Sequence, residues 1–200
     1  MKIAATGLTL MVCGMLLAQV AVADGDALRG ARLGYNCLGC HGIDGYRNAY
    51  PSYRVPRLGG QKVGYLVKAL QSYRDGARAH PTMHAQASSL SDEEINHVAA
   101  YLSGSEADTP GAGESGGAPI EAAKTCVACH GQNGIGVAPT WPTLAGQHQD
   151  YLVHALNQYR DGTRKDPLMS PMAAPLSEDD VASLALFYSG QEGLETTEIE

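Results

Sequence analysis

Two six-residue segments hold most of the chain's reactive side chains: Cys37-Leu38-Gly39-Cys40-His41-Gly42 and Cys126-Val127-Ala128-Cys129-His130-Gly131. In each, two thiols stand two residues apart and an imidazole follows at once. A disulfide would leave the histidine without a role. A zinc ribbon spaces its cysteine pairs by about 15 to 20 residues, whereas these pairs lie 89 apart. A redox pair belongs to a βαβ setting, and no strand pattern is present. Covalent haem attachment accounts for all three residues, because the thiols reach the two vinyl groups while the imidazole turns to the iron. Cys37, Cys40, Cys126 and Cys129 are therefore read as attachment residues and His41 and His130 as iron ligands, which implies two haem c groups.

The repetition extends beyond the motifs. From Pro56 to Gly104, 22 of 49 positions are identical to those from Pro142 to Gly190, including Tyr-Arg-Asp-Gly at Tyr73 and at Tyr159. The chain is a tandem duplication, and the first copy carries three extra residues in the loop from Tyr46 to Val55. This alignment also selects a sixth iron ligand. Met83 and Met169 are equivalent, each two residues after a proline and seven before a Leu-Ser pair. Met172 corresponds to Gln86 and reads as a gap-filling core residue. His80 and His84 correspond to Asp166 and Ser170, so a ligand common to both copies is methionine. His97, His148 and His154 also lack histidine counterparts and are expected at the surface or at an interface.

The elements that must position these residues are helical. One helix is expected over Ala27 to Tyr35, and a second over Gln61 to Arg74 puts Tyr65, Leu66, Ala69, Leu70 and Tyr73 on one face. A last helix begins at Ser91, with Glu94 completing a capping box. Ser177 and Asp180 repeat that start. No alternating apolar run suits a sheet, so the class is all-α. Residues 24–104 form the first domain and 119–190 the second. Residues 105–118, rich in Gly, Ser and acid, are expected as a flexible linker, and 191–200 as a disordered acidic tail.

Lys2, the apolar run from Leu8 to Val22 and Ala21-Val22-Ala23 form a signal peptide, residues 1–23, too short to span a bilayer. Its removal takes Cys13 with it and leaves 13 basic against 21 acidic residues. That balance excludes nucleic acid as a partner. Asp24 to Ser103 holds 9 basic and 7 acidic residues while the rest is net acidic. Arg54 and Arg57 are therefore expected to offer a basic surface to an acidic partner.

Taken together, the paired motifs, the aligned methionines and the duplication resemble class I cytochromes c, and more closely the dihaem cytochrome c4 family, over essentially the whole mature chain. The resemblance implies two tandem class I domains, each wrapped around one covalent haem. It implies that the carbonyls of Pro56 and Pro142 receive the ring N–H of the ligating histidines. It further implies an electron carrier with no substrate chemistry. The expected setting is the periplasm, between a quinol-oxidising complex and a terminal oxidase or another cytochrome, with peripheral membrane association compatible. The alternative is a cytochrome subunit of an oxidoreductase such as a flavocytochrome sulfide dehydrogenase.

Overall fold

The computed structural model describes residues 25–104 and 119–197. The expected signal peptide (1–23) and linker (105–118) lie outside the described residues. The first copy supplies α1 (Ala27–Leu33), α2 (Leu38–His41), α3 (Val63–Arg74), α4 (Pro81–Ala87) and α5 (Asp92–Ser103). The second supplies α6 (Val127–His130), α7 (Gln149–Asp161), α8 (Met169–Ala173) and α9 (Glu178–Ser189). Among the described residues the only strand-like pairings are isolated bridges, so the fold is all-α.

Local chemistry explains where the helices begin. The Asp26 carboxylate accepts from the N–H groups of Leu28 and Arg29, satisfying donors that the first turn of α1 leaves free. At α5 the Ser91 hydroxyl accepts from Glu94 N–H while the Glu94 carboxylate accepts from Ser91 N–H. Ser177 and Asp180 repeat that reciprocal cap at α9. Each of these two helices opens with three acids, which complement the positive end of its dipole.

Packing then draws the helices together. α1 crosses α5 at Gly30, where a Cβ would lie 2.0 Å from the His97 carbonyl oxygen. Only glycine allows that approach. His97, expected at a surface or interface, is buried in this crossing, and its Nδ1 accepts from Asp26 N–H at 2.8 Å. The repeated Tyr-Arg-Asp-Gly segment ties the end of α3 or α7 to the start of the last helix. Arg74 donates to Leu90 O at 3.1 Å and Arg160 to Leu176 O at 3.2 Å. Leu66, Leu70, Ile95, Val98 and Leu102 form the first core, and Leu152, Leu184, Ala185 and Tyr188 the second.

The two copies meet across a pseudo-two-fold axis. Gln61 donates to Thr143 O at 3.0 Å and accepts from Thr143 N–H at 2.9 Å. Gln147, its repeat equivalent, makes the same pair with Arg57 O and N–H at 3.1 and 2.9 Å. This is the reciprocal pattern of an isologous interface. On it, the inserted loop adds contacts that the second copy cannot return. Tyr53 stacks on His154 with centroids 4.1 Å apart, and Arg47 and Arg54 pair with Asp150 at 3.0 and 3.4 Å.

Two expectations are corrected here. Arg54 and Arg57 do not form a free basic surface: Arg54 holds Asp150, while Arg57 donates to Gly146 O at 2.7 Å and pairs with Asp44. Arg54 lies in the inserted loop, which turns it toward the second domain, and Arg57 sits in the seam itself, beside Gly146 and Gln147. Residues 191–197 are likewise no loose tail. Leu194 is buried, its N–H bonds Ala145 O at 2.8 Å, and Glu195 exchanges two backbone hydrogen bonds with Gly59 at 3.0 Å. One apolar side chain with paired backbone on both sides is enough to dock a segment whose composition is otherwise acidic.

Candidate metal centres

Short helices deliver the motif residues. α2 ends on His41 and α6 on His130. Each Nδ1 lies 2.9 Å from a proline carbonyl, His41 from Pro56 and His130 from Pro142. A carbonyl only accepts, so the proton sits on Nδ1 and Nε2 keeps its lone pair. Burial pushes the His41 pKa down, against the pull of the Pro56 bond, and the charges of Arg78 and His80 push the same way. His130 is also held down by burial. A neutral imidazole with a free Nε2 is the form that binds a metal.

Cys37, Cys40, Cys126 and Cys129 are half-buried, and none is in a disulfide. Burial raises the thiol pKa of both Cys37 and Cys126, which suits a protected attachment point and not a redox nucleophile.

A cavity of about 440 Å³ meets both sets of residues and runs through the domain interface. Its walls include Cys37, Cys40, His41 and Met83 from the first copy and Cys126, His130 and Met169 from the second. Cys129 lies beside the second site but not on this wall. The residues fit a planar, largely apolar group held by thiols and a nitrogen donor. Tyr188 strengthens the fit, because it lines the cavity and its buried hydroxyl has no partner among the described residues.

The methionines are positioned by residues whose part the sequence reading did not identify. His80 Nδ1 accepts from Met83 N–H at 3.2 Å, and Asp166, at the equivalent position, accepts from Met169 N–H at 3.0 Å. His80 is the N-cap of α4, whereas Asp166 stands two residues before Leu168, the N-cap of α8, and closes the turn that leads into that helix by accepting from Leu168 and Met169 N–H. His84 is occupied elsewhere, its Nδ1 lying 2.9 Å from Tyr73 O. Met172, read as a core filler, is exposed at one side yet also reaches the cavity wall, as does its counterpart Gln86. Equivalence within the duplication was the signal for these acceptors: His80 and Asp166 differ in type but share an acceptor atom.

The family model for cytochrome c matches residues 23–106 and again 116–188. The chain belongs to the cytochrome c family. Its relatives include the thiosulfate dehydrogenase electron acceptor of Stutzerimonas stutzeri, 40% identical over 169 residues, 76% of this chain and 77% of that protein. Cytochrome c4 of Pseudomonas aeruginosa is 33% identical over 189 residues, 87% of this chain and 92% of that protein. The crystal structure of reduced cytochrome c4 from Pseudomonas stutzeri superposes with a TM-score of 0.64 at 29% identity, covering 84% of this chain and 100% of that one. This cytochrome is thus of the dihaem c4 type, an electron carrier and not an enzyme, with two covalent haem c groups.

Proposed function

We propose that this cytochrome is an exported, periplasmic shuttle that takes single electrons from a quinol-oxidising complex and passes them to a terminal oxidase or another cytochrome. The observation that carries the reading is the single cavity whose walls bear a histidine and a methionine from each copy. His41 with Met83, and His130 with Met169, are the residues that would hold the two haem irons, one pair from each copy. When bound, each haem supplies one reversible one-electron step, and a thioether ligand favours the ferrous state relative to a second imidazole. The protein's part is to hold the ligands still and keep water away. The proline carbonyls fix both imidazole planes, and acceptors on His80 and Asp166 fix the methionine backbones.

Export is supported by the leader-like residues 1–23 and by the motif chemistry. No helix among the described residues is long and apolar enough to cross a membrane. Contact with the bilayer would be peripheral.

A second donor is favoured by the relative named as an acceptor for thiosulfate dehydrogenase. In that reading the same shuttle collects electrons from oxidation of a sulfur compound, and tight association with the dehydrogenase would make it a subunit, as in flavocytochrome sulfide dehydrogenases. Stopped-flow mixing of the oxidised holoprotein separates the donors. Fast reduction by quinol with membranes holding a quinol-oxidising complex supports the first. Reduction only by thiosulfate with its dehydrogenase supports the second, and reduction by neither overturns both.

A further inference from the structure

At the end of the last helix the duplication changes chemistry against the cavity wall. Leu102 in the first copy and Tyr188 in the second occupy equivalent positions, each is 3% exposed, and both line the cavity. Leu102 presents only carbon. Tyr188 carries a buried hydroxyl with no hydrogen-bond partner among the described residues.

The second copy is shaped to seat that ring. A Cβ at Gly134 would lie 2.7 Å from the Tyr188 ring and 2.9 Å from the Ala145 backbone, so glycine leaves the space the ring needs. Gly45, its counterpart after the first motif, has nothing within 4 Å of the same point. Gly146 N–H donates to the Tyr188 carbonyl at 3.0 Å, and the Phe187 ring stands edge-on with centroids 5.0 Å apart. The hydroxyl and the Cys126 thiol lie beside one another. Burial first raises the pKa of each; the thiol then raises the hydroxyl further, while Thr125 and the hydroxyl pull the thiol back.

A buried phenol without a partner is unfavourable, and it persists in a core where something accepts its proton. Haem attachment supplies such a partner. A sulfur–carbon bond replaces the S–H bond of Cys126, and the thioether that results can only accept. We propose that the Tyr188 hydroxyl donates a hydrogen bond to the Cys126 sulfur of the attached second haem and raises that haem's reduction potential, a contribution that Leu102 cannot make to the first. The positive end of the O–H dipole lies at the edge of the conjugated ring, where burial leaves little water to screen it, and it favours the added electron. Outer hydrogen bonds of this kind are one of the levers by which a protein tunes a haem. Tyr188 is a positioning residue that acts through the attachment sulfur, whichever protein donates the electrons.

The test is a redox titration of the holoprotein, with the two haems resolved by their paramagnetic NMR signals. Tyr188→Phe removes one oxygen and keeps the ring. It is expected to raise the ferric-to-ferrous ratio of the second haem about threefold at a fixed ambient potential, a fall of about 28 mV at about 59 mV per decade for one electron. The first haem should be unmoved. An unchanged or raised second-haem potential overturns the proposal, as does an equal shift at both haems, which a loosened seam would give. In the ferrous parent protein the hydroxyl proton is expected as a slowly exchanging resonance with cross-peaks to the thioether bridge at Cys126. If Tyr188→Phe does not keep its haems, that resonance decides alone: a rapidly exchanging hydroxyl, or one whose cross-peaks lie elsewhere, overturns the assignment.

Discussion

At the residue scale, the two halves hold their candidate ligands with different chemistry at equivalent positions of the repeat. A histidine nitrogen and a carboxylate oxygen both cap the turn that presents a methionine. That turn brings Met169 and, three residues later, Met172 to the same cavity wall. Replacing Met169 with alanine is expected to leave haem attached but open the second iron to added imidazole and lower its potential. Ligand titration by absorbance checks this, and a silent Met169→Ala beside an active Met172→Ala would reassign the ligand. The attachment motifs were legible in the sequence because their chemistry is local, fixed by covalent spacing of two residues. Met83 and Met169, which reach the cavity wall, could be singled out only through the duplication. The Tyr188 hydroxyl could not, since nothing along a chain records which groups will meet.

Among the elements, the crossing of α1 and α5 is the least tolerant contact. A methyl group at Gly30 meets backbone, which cannot rotate away, so Gly30→Ala is expected to cost about 2 kcal/mol or more. Chemical denaturation of the holoprotein measures it, and a loss below about 0.5 kcal/mol would mean that the helices slide apart freely. The helices themselves were readable from periodicity and caps: Ser91 with Glu94 forms its box where the pattern places it. The segment 191–197 was misread because its docking depends on Leu194 alone, which no periodicity announces. Leu194→Ala is expected to remove about 3 kcal/mol. Its effect should be seen as a single unfolding transition separating toward two, because this segment touches Gly59 in one domain and Ala145 in the other. A transition that stays single at the parent midpoint would show that the strap carries no load.

For the whole molecule, acidity bears on the seam between the domains. His154, stacked on Tyr53, is held below its ordinary value of 6.5 by burial first, then by Arg78 and His80. The unfolded chain then takes up the proton more readily than the folded one. The stability contributed by the neutral ring is present above 6.5 and is lost as pH falls below 6.5 toward the folded value. The Tm of the paired domains should therefore fall between about pH 7 and 5, and His154→Phe, which keeps a ring against Tyr53, should flatten that slope. An equal slope in both proteins would place the acid sensitivity elsewhere. On the other side of the axis Lys68 holds Asp166 at 2.7 Å, and this pair persists until pH drops below the ordinary carboxylate value of 3.8. Under the repeat the positions of Lys68 and Asp166 correspond to His154 and His80, the latter one of the groups that holds the His154 pKa down. Contacts that run from one position to a second and back again are what two identical subunits make about a two-fold axis, and such a homodimer is bound to inherit every substitution twice. Fusion of the genes ends that obligation. Here one flank became an ion pair and the other a pair of weak bases, a divergence that no symmetric ancestor could have explored.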